Sequence, residues 1–138
     1  MNLDSVSITL GLISLFFAIT FLQSGLDKVF QRKDNLSWFK SVFEPSIIKP
    51  IVTPLFYWIT IQELVIGGWM LISAYSYLFL DCYCGLVADW GFILCLALLI
   101  QLFTGQRIAK DYPGASGIIP YIIVALIAQG LFSQCCCA

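Results

Sequence analysis

Long apolar stretches separated by short polar clusters set the pattern of this chain. A bilayer core of about 30 Å takes about 20 apolar residues per helix. Four stretches of that length, bounded by charge, Pro or Gly, run over about 6–26, 54–77, 86–104 and 117–134. The first holds no charge and the second a single acid, Glu63. Pro120 is expected in the first turn of the fourth, where a missing backbone donor does no harm. Four such helices use roughly 80 of the 138 residues and leave only short connections. The expected fold is therefore all-α: one integral membrane domain over 1–138, an antiparallel bundle of four transmembrane helices. No Lys or Arg precedes Lys28, so the first stretch lacks the basic start of a cleaved signal and reads as a structural helix.

The connections carry the orientation. Lys28, Arg32, Lys33, Lys40 and Lys49 lie between the first and second spans, and Arg107 and Lys110 between the third and fourth, which accounts for all seven basic residues. Short loops rich in Lys and Arg stay cytoplasmic. Both termini and the connection between spans two and three are thus expected on the outer face of the membrane. Trp38, Trp58 and Trp90, with Tyr57, Tyr77, Tyr83, Tyr112 and Tyr121, fall near the span boundaries as an aromatic belt would. In the longest connection, Leu36, Phe39 and Phe43 recur at spacings of three and four, which predicts an amphipathic helix over about 34–46 on the inner membrane surface.

Composition agrees and narrows the chemistry. The chain is 60% hydrophobic and 11% charged, with a mean hydropathy of +0.93, against roughly 25% charged residues in soluble domains. Seven basic against eight acidic residues give a net charge of −1, so no basic surplus exists for nucleic acid. The absence of His removes Ser-His-Asp triads and His-ligated haem or zinc, and no metal site is expected.

Glu63 carries the strongest functional signal. It lies nine residues into the second span, roughly 14 Å deep, where an ionised carboxylate costs at least about 2.5–3.5 kcal/mol and needs a donor. Depth counting offers Gln23, Ser24, Gln62 and Gln101 as partners, and Lys28, one turn beyond Ser24, can reach along the bundle. With Arg107, Lys110 and Asp111 they outline a polar funnel at the basic end. The core is expected on the faces bearing Gln23, Glu63, Gly67 and Gln101. Glu63 reads either as an interhelical hydrogen-bond anchor or as the group that meets a proton or a small ligand such as a quinone. Gly67 and Gly68 read as close-packing positions.

Six Cys are present. Cys95 reads as packing within span three. Cys82 and Cys84 in the outer connection and Cys135, Cys136 and Cys137 in the tail are expected on one oxidising face, where a disulfide could join them. Their Cys-Tyr-Cys and triple-Cys spacings differ from the Cys-x-x-Cys pair of membrane disulfide oxidases, and a terminal Cys-Cys-Cys-Ala lacks the aliphatic residues of a prenylation signal.

Three segments carry a family resemblance. Phe-Leu-Gln-Ser-Gly-Leu-Asp-Lys-Val-Phe at 21–30, Gln-Glu-Leu-Val-Ile-Gly-Gly at 62–68 and Leu-Phe-Thr-Gly-Gln-Arg-Ile-Ala-Lys-Asp-Tyr-Pro-Gly-Ala at 102–115 resemble the DoxX family, the last its Bacteroidetes-type members. The resemblance implies a four-helix bundle of the bacterial inner membrane associated with redox or respiratory systems. It picks out Ser24, Gly25, Lys28, Glu63, Gly67 and Gly68, with Gly25 among the packing glycines. The function expected first is that of an accessory subunit of a larger respiratory or redox membrane complex, without catalysis of its own and with bound lipid. The alternative is a quinone-interacting protein that uses Glu63, with Lys28 or Arg107 orienting the ligand. A thiol-disulfide protein using Cys82 and Cys84 comes after both.

Overall fold

The structure is a computed structural model that describes residues 5–80 and 86–137, with side chains outside that description at 86–89 and 134–137. It holds five α-helices: α1 (Ser5–Phe30), α2 (Arg32–Val42), α3 (Val52–Phe79, entered through a 3₁₀ turn at Lys49–Ile51), α4 (Leu86–Ile108) and α5 (Tyr112–Cys137). No strand occurs among the described residues. Four helical stretches, Ser5–Phe30, Lys49–Phe79, Trp90–Ile108 and Tyr112–Ser133, are long and apolar enough to cross a membrane, the mark of a multi-pass membrane protein. Leu12, Ile19, Ile61, Val65, Ile72, Ile123 and Leu126 all point outward, an apolar surface that suits acyl chains and would be unstable in water.

The principal contact joins α1 to α3, and α4 pairs mainly with α5. Buried Ser7, Gly11, Ser14, Ala18 and Gly25 form a stripe of small residues along α1, and small residues let helix backbones approach closely in a membrane. Leu78 seats over Gly11, Leu64 over Gly25, and Leu22 over Gly67. That antiparallel register brings the end of α1, at Phe30, level with Ile59, so α3 continues past it at the basic end. The chain fills part of the gap by folding α2 back across it. Phe39 rests edge-on against Phe56, 5.4 Å between ring centroids, and Phe43 is buried with Val52 and Ala109.

Several sequence expectations shift here. The amphipathic helix exists, over Arg32–Val42; Phe39 and Val42 pack against the bundle, while Trp38 is 54% exposed. The fourth span starts at Tyr112 instead of near 117, so Pro113 occupies the first turn and Pro120 lies inside the helix. Tyr77 is fully buried beside Gly11 and belongs to the core instead of an interfacial belt. The turn from α4 to α5 is a Schellman-type stop: Asp111 N–H donates to the Gln106 carbonyl (2.9 Å) and Lys110 N–H to that of Arg107 (3.2 Å). Lys110 occupies the left-handed region there, with φ 60°.

Candidate functional site

Ser24 and Lys28 stand four residues apart on one face of α1, and Leu55, Ile59 and Glu63 four apart on one face of α3. The close approach at Gly25, whose missing Cβ would lie 2.8 Å from Leu64 Cδ2, brings these two faces together. Lys28 Nζ donates to Glu63 Oε1 at 2.8 Å and Oε2 at 2.7 Å. It also donates to Ser24 Oγ at 2.7 Å, and Ser24 Oγ donates in turn to Glu63 Oε1 at 3.1 Å. The side chains of Glu63 and Lys28 are 2% and 13% exposed, so the pair is largely removed from solvent. Charge-assisted bonds of this length are strong, and they offset the cost of holding both charges in an apolar bundle.

The pair lies at the edge of a cavity of about 550 Å³. Trp38, Phe39, Val42 and Asn35 of α2 line it on one side, with Phe43, Ile48 and Ile51 from the following segment. Leu55 and Ile59 continue the wall along α3; Ile100, Gln101, Thr104, Gly105 and Gln106 of α4 and Ile118 of α5 close the far side, with Asp111 in the turn between them. The volume and mainly apolar lining with a few convergent polar groups are those of a small-molecule site. The cavity sits where α1 ends before α3 does, so it follows from the helix register.

Of the residues singled out in the sequence, Ser24, Lys28, Glu63, Gln101 and Asp111 line this one cavity. Gln23 does not. It is exposed on the outside of α1, one residue and about 100° round from Ser24, which corrects its place in the core. Gln101 is exposed as well and stands on the cavity rim, not in the core. Arg107 is exposed and stacks over the Tyr112 ring at 4.8 Å, away from the cavity lining. Asp111 accepts a hydrogen bond from Gly114 N–H at 3.2 Å and so caps the start of α5. Gly25 and Gly67 are close-packing positions, whereas a Cβ at Gly68 would meet nothing within 4 Å, because Gly68 turns away from the α1 contact.

Cys95 is a fully buried free thiol in the core. Cys82 and Cys84 lie outside the described residues, as do the side chains of Cys135, Cys136 and Cys137, so the disulfide expectation falls outside the description. Among the described residues no group of His, Cys, Asp or Glu could hold a metal ion. Sequence reasoning missed Asn35 and Gln106 as wall residues. It also missed the Leu55–Ile59–Glu63 stripe, which the spacing of four could have revealed.

No protein-family model matches the chain, and no curated protein or solved structure matches it.

Proposed function

We propose that this protein binds a small amphipathic molecule within the membrane, its apolar body against Trp38, Phe39, Leu55 and Ile59 and its polar head at the Lys28–Glu63 pair. The observation that carries this reading is the largely desolvated ion pair set at the edge of an otherwise apolar cavity of about 550 Å³. An interhelical anchor alone needs no cavity beside it. The ligand-binding reading takes precedence over that of an accessory subunit because it rests on a built site, whereas the subunit reading rests on the small size of the chain. A quinone-like ring with an apolar tail belongs to the class such walls accept.

The same proposal places the basic end, and with it the cavity, on the cytoplasmic side of a bacterial inner membrane, from the positions of all seven Lys and Arg. It retains the DoxX resemblance, on the three quoted segments alone. Ser24, Gly25, Lys28, Glu63 and Gly67, picked out by that resemblance, all fall at the α1–α3 contact.

The test is extraction of the tagged protein in mild detergent, with mass spectrometry of co-purifying small molecules. Wild type should carry a near-stoichiometric apolar molecule that Gly105→Phe, which fills the cavity and leaves the ion pair in place, excludes. Loss of nothing on that substitution, or a large protein bound in place of a small molecule, would return the accessory-subunit reading to first place.

A further inference from the structure

The opening of the cavity fixes how a ligand lies in it, and this inference rests on the reading of the cavity as a ligand site. α3 and α4 meet tightly where one nears its end and the other has begun. A Cβ on Gly91 would lie 2.9 Å from Met70 Sδ, 3.4 Å from Trp69 Cδ1 and 3.5 Å from Ser73 Oγ. Gly105 lies fourteen residues after Gly91, and Leu55 and Ile59 lie fourteen before Trp69 and Ser73. Fourteen residues are close to four helical turns, about 21 Å along the axis, so each helix presents nearly the same face at both levels. At the second level a Cβ on Gly105 would meet no atom of α3 within 4 Å, only Phe43 Cζ at 3.7 Å. The two helices have splayed, and Leu55, Ile59 and Gly105 line the cavity that fills the gap.

The mouth of that gap faces lipid. Ile93, Ala97, Ile100, Thr104 and Ile108, at steps of four, three, four and four, form one exposed strip along α4. The last three line the cavity and the first two do not, so the cavity wall runs on into the outer surface of the helix. Exposed Ile51, at the entry to α3, also belongs to the lining. All of these positions fall within the stretches Lys49–Phe79 and Trp90–Ile108, which are apolar enough to cross a membrane. The basic end, by contrast, is plugged. Phe43, Val52 and Ala109 are buried together there, with Phe39, Val42 and Ile48 packed against them.

We propose that the gap between α3 and α4 is a lateral mouth, through which the ligand's apolar tail runs out into the bilayer. The site then takes a membrane-dissolved molecule held by its head at Lys28–Glu63 and by the first part of its tail against Leu55 and Ile59. Past Ile51, Ile100 and Thr104 the tail lies among acyl chains, so its length and the bulk at its tip are unrestricted. A wholly enclosed cavity would reject a bulky tip.

The experiment titrates the full-length protein in phosphatidylcholine nanodiscs with two tritiated probes, 4-pentylphenol and a 4-decylphenol that carries pyrene at the tip of its tail. They share one head, which can both donate and accept a hydrogen bond. Binding is counted above that of Gly105→Phe protein, which removes partition into lipid. Wild type should bind both. Thr104→Phe narrows the mouth from an exposed position; it should keep 4-pentylphenol and weaken the pyrene probe at least about tenfold. Exclusion of the pyrene probe from wild type that binds 4-pentylphenol overturns the lateral mouth and leaves the cavity reading standing. So does a Thr104→Phe protein that weakens the pyrene probe no more than 4-pentylphenol. Wild type that binds neither probe above the Gly105→Phe reference overturns both readings.

Discussion

Removing one member of the Lys28–Glu63 pair leaves a charge in an apolar interior with no counter-charge. Lys28→Met and Glu63→Leu, each alone, should destabilise the protein by about 3–5 kcal/mol, while the double substitution should recover most of that loss, because two apolar side chains fill the site without a desolvation cost. Unfolding in mixed micelles, run as a double-mutant cycle, reads this directly, and singles that unfold like wild type would show that the pair carries little of the fold. At Lys110 the left-handed backbone, φ 60°, disfavours any residue with a Cβ. Lys110→Gly should gain about 1 kcal/mol by the same measurement. The signal for Lys28 was legible as a basic residue one turn beyond Ser24. Its choice of Glu63 over water was not, because that depends on a neighbouring helix.

Helix packing turns on single positions with opposite tolerance. A Cβ on Gly67 would lie 2.9 Å from the Leu22 backbone nitrogen, which cannot move aside as a side-chain tip would. Gly67→Ala should therefore part α1 from α3 and cost about 1–3 kcal/mol, and through that separation lengthen the Lys28–Glu63 contact. Gly68→Ala meets open space and should leave stability unchanged or slightly raised. Thermal unfolding of both variants in the same detergent separates the two, and equal effects would contradict the α1–α3 register. From the sequence these adjacent glycines are indistinguishable; their difference is a rotation of about 100° about the α3 axis. Ser7, Gly11, Ser14 and Ala18 of α1 recur at steps of four, three and four, a pattern that went unread in the sequence and that does not name its partner helix.

For the whole molecule, all seven basic residues gather at the end where α1, α2, the start of α3 and the α4–α5 turn meet. If that end faces the cytoplasm, a C-terminal alkaline phosphatase fusion should be active and a C-terminal green fluorescent fusion dark, and the reverse result would invert the proposed orientation. The cavity belongs to this scale too, since α1, α2, α3, α4 and α5 each supply part of its lining. No single segment carries the pattern.

Amino-acid order by itself determined that four helices can cross a membrane, that the basic residues gather at two connections, and that Glu63 needs a partner. Apolar length, basic clusters and a lone buried acid are properties of one segment at a time. Only the tertiary structure decided that Lys28 and Ser24 are the partners and Gln23 is not, that Phe39 of α2 packs inward, and that a cavity opens beside the pair. Those outcomes depend on how far α1 slides and rotates against α3, which is set where side chains from distant parts of the chain come into contact at Gly11, Gly25 and Gly67.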